Sequence, residues 1–137
     1  MVKASAPGKC ILFGEHAVVY GQPALACSIS QRMTLELEVE KTFGTWRLDG
    51  RTFNPKKHPH IDYLRKQLPP FEEQPIHIRI RGSIPKSSGL GSSAALSVAL
   101  CGALQQLRGE DLKPMQASEL SHRAEANAQG GLSLIHI

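Results

Sequence analysis

The alternation of apolar and polar residues along the chain predicts several β-strands. From Met33 to Glu40, apolar side chains alternate with Thr and Glu, a period of two that is typical of a half-buried strand. Residues 75–81 alternate Ile with His and Arg in the same way. Asp49-Gly50, between two short β-like runs, indicates a hairpin turn. Further strands are expected at Val2–Ala6, ended by Pro7-Gly8, at Lys9–Phe13 and at Ala24–Ile29.

Three other stretches carry helical patterns. Residues Ser92 to Leu107 form the clearest one, and a glycine two residues later closes it. A second helix is expected from about Met115 to Ala128, with an apolar stripe of Ala and Leu and Gly130-Gly131 at its end. A short helix over Ile61–Leu68 precedes a pair of prolines. Strands followed by helices predict an α+β domain.

Composition narrows the class of protein. A chain of 137 residues with 41% hydrophobic and 20% charged residues suits one globular domain. No apolar run is long enough to span a bilayer, and the N-terminus lacks the apolar core of a signal peptide. The three cysteines predict neither a disulfide framework nor a zinc site, so we expect a cytoplasmic protein. A net charge of +4 without a basic block fits anionic small substrates as well as nucleic acid.

The most informative segment is the glycine loop, residues 85–95, which lies between a predicted strand and a predicted helix. Its glycines allow the backbone to approach a ligand, and the first amides of a helix have no partner within the helix. With the helix macrodipole, this arrangement predicts an anion site for which phosphate is the natural ligand. It is not a Walker A motif, because no Lys precedes the serines Ser92 and Ser93. The alternative is a simple Gly/Ser turn that caps the helix.

Two further features carry candidate chemistry. Lys9, Glu15 and His16 lie among glycines and apolar residues, where a Lys can neutralise developing phosphate charge and the other two can hydrogen-bond a polar substrate. Taken alone, they also suit surface charges around a turn. Glu125, on the last predicted helix, can hold Mg²⁺ or be a solvated helix residue. His58 and His60 have no metal-ligand spacing, so they are interpreted as loop residues.

Together these motifs resemble the GHMP small-molecule kinases. The resemblance rests on Ala6-Pro7-Gly8-Lys9, on the glycine loop and on Glu125, and it covers about residues 3–131. The longer opening from Ala6 to Gly21 is most similar to that of the mevalonate kinases within this family. The resemblance implies the ribosomal protein S5 domain 2-like N-terminal domain of that family. It also implies an ATP-dependent transferase that converts mevalonate to 5-phosphomevalonate in isoprenoid synthesis, and that the full-length protein forms a homodimer.

Roles are carried over from the family residue by residue. By this resemblance, Lys9 lies near the reacting oxygen, Glu15 and His16 bind mevalonate, and Glu125 holds Mg²⁺ together with Ser92 and Ser93. The ATP phosphates are expected to contact Pro85, Lys86, Ser87, Ser88, Gly89, Leu90, Gly91, Ser92, Ser93, Ala94 and Ala95.

The C-terminal residues depart from the family pattern. The resemblance implies a Gly-x-x-Ser-Gly-x-Asp stretch that supplies the catalytic base near position 136, where this chain has His136. The last six residues, Leu-Ser-Leu-Ile-His-Ile, resemble the in-frame translation of a common transposase sequencing adapter. We therefore expect residues 1–131 to be an incomplete N-terminal ATP-binding domain and residues 132–137 to be a non-native tail. Without the base and the second domain of the family, this chain is expected to be nearly inactive.

Two alternatives stay open on the residues alone. The first is another GHMP kinase that acts on a different small alcohol. The second is a non-catalytic binding module, for example for RNA, which the positive charge allows. The basic residues are scattered and no aromatic pair marks a stacking surface on a strand, so neither nucleic acid nor a membrane is the expected partner.

Overall fold

The computed structural model describes residues 1–41, 44–68, 74–111 and 113–129, which form a sheet with helices packed against it. A 3₁₀ turn at Val18–Tyr20 lies between the first two strands. The strands are β1 (Val2–Phe13), β2 (Leu25–Val39), β3 (Arg47–Leu48), β4 (Arg51–Thr52) and β5 (Ile76–Gly82), and the helices are α1 (Pro59–Gln67), α2 (Ser92–Leu107) and α3 (Pro114–Gln129).

The five strands form one sheet in the order β1-β2-β5-β3-β4. Strand β2 pairs antiparallel with both β1 and β5, whereas β3 runs parallel to β5. The predicted alternation in β2 is confirmed for Leu35 and Leu37, which are fully buried beneath the helices. Val39, expected on the same face, is 41% exposed because it lies at the end of the strand, beyond the cover of the helices.

Two predicted strand boundaries are wrong. Pro7-Gly8 does not end β1, which continues to Phe13 with a shift of register between Pro7 and Lys9. Residues 24–29 and 33–40, predicted as separate strands, belong largely to the single strand β2. In both cases, continuous pairing between two long neighbours outweighs the local turn signal. Pro7 is tolerated because β1 is an edge strand, where a missing N–H need not interrupt the sheet.

The hairpin of β3 and β4 and the strand β5 agree with the sequence pattern. Asp49 and Gly50 both have positive φ, of 47° and 82°, as the two central residues of a tight hairpin turn require. Asp49 Oδ1 accepts a hydrogen bond of 2.9 Å from the backbone N–H of Ile80, which ties this hairpin to β5. Ile76 and Ile78 are fully buried, while Arg79 pairs with Glu38 on the other face.

The helices lie in a second layer. Helix α2 has the predicted bounds, is rich in Ala and Leu, and packs its buried side chains against β1 and β2. Helix α3 extends one residue beyond each predicted end, and its stripe residues Ala117 and Ala124 are buried. Helix α1 begins at Pro59, two residues before the predicted start, since proline suits the first position of a helix. His60 therefore lies in the first turn of a helix and not in a loop.

Candidate functional site

The two sequence motifs meet where Lys9 of β1 contacts the glycine loop. The backbone N–H of Lys9 donates to the carbonyl oxygen of Leu90 at 2.9 Å. Its side-chain Nζ donates to the carbonyl oxygen of Gly89, also at 2.9 Å. Tertiary structure thus joins a lysine near the start of the chain to a loop eighty residues later, and holds the ammonium group at the beginning of α2.

Gly91 makes this close approach possible. Its φ is +72°, in the left-handed region that favours glycine, and it is the residue that precedes the first turn of α2. A Cβ at this position would lie 2.9 Å from Cγ of Lys9, closer than carbon atoms that are not bonded to each other normally approach. In the described structure no side chain caps this end of α2, so its first amides are available to an anion.

A cleft of about 710 Å³ opens beside the start of α2. Its charged and polar lining residues are Asp49, Lys57, His58, His60, Lys86, Ser87, Ser92 and Ser93. Burial first, then the positive charges of Lys57 and Lys86, lower the pKa of His58 below its usual value. Near His58, these two lysines favour an anionic ligand, whereas Asp49 adds one carboxylate to the lining.

Glu125 lies directly behind the wall of this cleft. Its side chain is 1% exposed, so the alternative of a solvated helix residue is wrong. Nε2 of His60, a residue that lines the cleft, lies 3.1 Å from Oε1 of Glu125. Buried carboxylates are rare without a specific partner or function, so the burial of Glu125 against His60 marks both residues as candidates for the site. The sequence pattern did not indicate this role for His60.

Glu15 and His16 are not part of this tight assembly. Both lie in the exposed turn of residues 14–21, whose backbone is closed by a 2.9 Å hydrogen bond from the N–H of Val18 to the carbonyl oxygen of Gly14. Among the described residues, neither side chain makes a hydrogen bond or an ion pair. The structure therefore leaves both groups accessible, and it does not bring them into contact with Lys9 or the glycine loop.

Several predicted features fall outside the described residues. They are the helix end at Gly130-Gly131, the tail of residues 132–137, and His136 at the position where the resemblance implies an aspartate. In the parts of the chain that are described, no group of three or more His, Cys, Asp or Glu side chains is placed to hold a metal ion.

Comparison with known proteins agrees with this geometry. Residues 57–135 match the GHMP kinases N terminal domain, and this match includes the glycine loop, Glu125 and most of the residues that line the cleft. The chain belongs to the GHMP kinase family. Its fold class is accordingly the α+β N-terminal domain of that family, and GHMP kinases use ATP.

Individual relatives are mevalonate kinases. The chain is 42% identical over 134 residues to the mevalonate kinase of Methanothermobacter thermautotrophicus, an alignment that covers 95% of this chain and 44% of the relative. The mevalonate kinase of Methanococcus jannaschii is structurally similar, with a TM-score of 0.81, 27% identity, and 96% and 48% of the two chains covered. The L. major mevalonate kinase in complex with R-mevalonate gives a TM-score of 0.78 and 26% identity over 98% and 44%.

This GHMP kinase domain thus spans about half the length of the relatives it matches. The residues present fit a phosphate chain. Gly89 and Gly91 have positive φ, no side chain caps the first amides of α2, and Lys57 and Lys86 line the cleft. They also fit Mg²⁺, which proteins commonly bind through one or two carboxylates while substrate phosphates supply other ligands. Glu125 and the hydroxyls of Ser92 and Ser93 are groups of that kind.

Sequence reasoning missed His60 and Lys57 in this domain. Both line the cleft, and Pro59 was a usable signal for His60, because a proline marks a helix start and so places the residue after it in the first helical turn. No pattern in the sequence indicated the contact between His60 and Glu125, because the two residues lie on helices that are far apart in the chain.

None of the helices that the structure describes is long and apolar enough to cross a membrane.

Proposed function

We propose that this chain is the ATP-binding part of a mevalonate kinase, which transfers a phosphoryl group from ATP to the 5-hydroxyl of mevalonate. The observation that carries the proposal is the contact of Lys9 with Gly89 and Leu90, in a chain 42% identical to a mevalonate kinase. It joins the glycine loop to the opening motif of the chain, and so supports a site in which Lys9 lies beside the ATP phosphates.

The glycine loop and the start of α2 are proposed to bind the ATP phosphates. Amides of the first helical turn donate to anionic oxygens without any side chain in competition for them. Lys86 adds positive charge from the loop, and Ser92 and Ser93 line the cleft. Phosphoryl transfer depends mainly on positioning and on charge stabilisation, and this end of the domain offers both.

Lys9 is proposed as the catalytic residue of this half. Its ammonium group is already held at the loop by the carbonyl oxygen of Gly89, so little reorganisation is needed before it contacts a phosphate oxygen. A positive charge there neutralises the negative charge that develops during transfer and lowers the pKa of a nearby substrate hydroxyl.

Glu125, Ser92 and Ser93 are proposed to hold Mg²⁺. Such an ion would supply positive charge that offsets the negative charge of the phosphate oxygens. The carboxylate of Glu125 is buried behind the cleft wall, and its contact with Nε2 of His60 restricts how it can rotate. Such a carboxylate loses little conformational freedom when it takes a cation.

Glu15 and His16 are proposed to bind mevalonate. Their exposure leaves both polar groups free to hydrogen-bond a small hydroxy acid. A solved L. major relative, similar to this chain over nearly its whole length, has R-mevalonate bound.

The complete active site is proposed to need further protein. The relatives are about twice as long, so we assign residues 1–131 to the N-terminal domain and the catalytic base to the part of the protein that follows. We also propose that residues 132–137 are not native, that the complete enzyme is a cytoplasmic homodimer, and that the chain alone is nearly inactive. Resequencing the gene around codon 131 from DNA prepared without transposase adapters tests the tail, since a continued Leu-Ser-Leu-Ile-His-Ile reading would overturn that assignment.

A chimera tests the activity. Residues 1–129 are joined to the C-terminal half of the Methanothermobacter thermautotrophicus mevalonate kinase, and ADP release is followed with mevalonate, galactose and homoserine as acceptors. We expect mevalonate to be phosphorylated, and the unfused halves to be nearly inactive. Phosphorylation of another acceptor in place of mevalonate would contradict the substrate assignment. Binding of RNA without any ATP turnover, while the parent kinase is active in the same assay, would favour a non-catalytic module.

A further inference from the structure

Strand pairing brings two cysteines together that lie far apart in the sequence. Cys10 on β1 is directly opposite Cys27 on β2. The pairs on either side, Lys9 with Ser28 and Ile11 with Ala26, are in regular register, and the register shifts only outside these three pairs, before Lys9 and after Ile11. Directly opposed residues of an antiparallel pair have Cα atoms about 4.5–5.5 Å apart and side chains on the same face. That separation falls within the range, about 4.4–6.8 Å, that a disulfide bridges.

Both thiols can be reached by a reagent from solution. Cys27 is exposed, Cys10 is half-buried, and all three cysteines of the chain are free. Cys101 differs: it is fully buried in α2, where burial raises the pKa of its thiol to about 11. Since the thiolate is the reactive form, Cys101 is an inert thiol within the same chain and a natural internal control.

We propose that Cys10 and Cys27 form a reversible intrachain disulfide when the protein meets hydrogen peroxide or a low-molecular-weight disulfide such as oxidised glutathione. With glutathione, one cysteine displaces a first reduced glutathione to give a mixed disulfide, and the other cysteine then attacks that disulfide and displaces the second. With hydrogen peroxide, the exposed Cys27 attacks an oxygen atom and becomes a sulfenic acid, and one water leaves. The sulfur of Cys10 then attacks the sulfenic sulfur, the S–S bond forms, and a second water leaves. Two thiols supply the two electrons that reduce the peroxide. A dithiol reductant reverses the change.

The disulfide would close residues 11–26 into a loop, and this loop contains the turn with Glu15 and His16. Without the bond, this turn is held mainly by backbone hydrogen bonds at its base. The bond would also fix β1 to β2 one residue after Lys9. Oxidation is therefore expected to restrict the exposed turn. The contact between Lys9 and the glycine loop does not involve β2, so we expect it to change little.

Disulfide mapping of the purified 137-residue chain tests the proposal. The chain is exposed to hydrogen peroxide or to oxidised glutathione, remaining thiols are alkylated under denaturing conditions, and peptides are analysed without reduction. We expect a linked pair of peptides that contain Cys10 and Cys27, with Cys101 alkylated. We also expect protease cleavage within residues 14–21 to slow several-fold in the oxidised chain and to recover on reduction.

Serine variants provide the controls. Cys10→Ser and Cys27→Ser should each abolish the linked peptide, while Cys101→Ser should leave it unchanged. The proposal is overturned if Cys10 and Cys27 are each modified singly by glutathione or oxidised to higher acids without a link, or if the link forms between two chains. If the link forms but cleavage of the turn is unchanged, the predicted restriction of the turn is overturned. The mapping of the unmodified protein does not depend on any variant folding.

Discussion

The two ends of the candidate site are built differently. At the start of α2, backbone and side-chain hydrogen bonds from Lys9 hold the glycine loop in place, and Gly91 lets the two approach closely. In the turn of residues 14–21, Glu15 and His16 are exposed, and the apolar Val19 and Tyr20 are 55% and 83% exposed beside them. The first end is ordered before any ligand arrives, whereas the second end presents groups that a ligand or another part of the protein can still contact.

This difference between the two ends determines how much of the interaction energy with a ligand is spent on ordering the protein. An anion site made of amides and a fixed ammonium group needs little rearrangement, so most of its interaction energy goes into binding and charge stabilisation. An exposed turn must lose conformational freedom when it binds, which lowers its contribution to affinity. Mutations at the first end should therefore affect stability and catalysis together, and mutations in the turn should affect mainly substrate binding.

The largest effect is expected for Lys9→Met in the chimera. Loss of a preorganised charge at the transferring phosphate should lower kcat about 100-fold to 1,000-fold, or roughly 3–4 kcal/mol. The control is Lys3→Met, on the same strand, where the side chain is 67% exposed and its nearest carboxylate oxygen is 4.0 Å away. Steady-state kinetics with saturating substrates measure both. Equal losses in the two variants would remove the distinction between an ordered end and a surface charge.

A smaller effect is expected for Gly91→Ala on the stability of the chain. A positive φ costs alanine about 1–2 kcal/mol, and the clash of its Cβ with the Lys9 side chain adds about 1 kcal/mol. Gly89→Ala is the matched control, because its φ is also positive, at +73°, but no atom lies within 4 Å of the added Cβ. Urea unfolding compares the two free energies. Equal destabilisation would mean that Lys9 moves aside at no cost.

The third effect in size is the free energy of interaction between His60 and Glu125. A double-mutant cycle with His60→Ala and Glu125→Ala is expected to show a coupling energy of about 1–2 kcal/mol, because the carboxylate is buried. Arg123 and Glu119 on α3 form the control pair, exposed on a helix surface, with an expected coupling of about 0.5 kcal/mol or less. A coupling energy for His60 and Glu125 no larger than that of the control pair would show that their contact does not stabilise the packing of α1 against α3.

The smallest effect on stability is expected in the exposed turn. Glu15→Gln and His16→Gln should each change the free energy of unfolding by about 0.5 kcal/mol or less, since neither side chain has a partner to lose among the described residues. In the chimera they should raise KM for mevalonate by about tenfold or less, the loss of one hydrogen bond. Gln22→Ala, exposed beside the same turn, is the control for both measurements. A large loss of stability would mean that the turn is as ordered as the glycine loop.

Much of the architecture could be predicted from local patterns. The bounds of α2, the hairpin at Asp49-Gly50 and the alternating strand of Ile76 and Ile78 follow from periodicity and turn chemistry, which act within a few residues. The wrong strand boundaries have a common cause, which is pairing with a neighbouring strand. Pro7-Gly8 predicts a strand end, yet β1 continues because β2 pairs with it on both sides of the register shift.

The candidate site was only partly predictable for the same reason. Lys9, Glu125 and the glycine loop were recognised from their motifs, but no motif marked His60, whose relevance comes from its position opposite Glu125 across two packed helices. The spacing of the three cysteines predicts no disulfide framework, and only the strand register shows that Cys10 lies opposite Cys27. Interactions between distant residues depend on packing, which a local pattern does not encode.

The sequence by itself determined most of the elements, the glycine loop between a strand and a helix, and the family, because each depends on residues close together in the chain or on a motif read in order. Only the tertiary structure decided that Lys9 donates to Gly89, that Glu125 is buried against His60, and that Glu15 and His16 remain exposed. The physical reason is that burial and long-range hydrogen bonds are properties of the packed sheet and helices. They exist only once the free energy of packing has offset the loss of chain entropy.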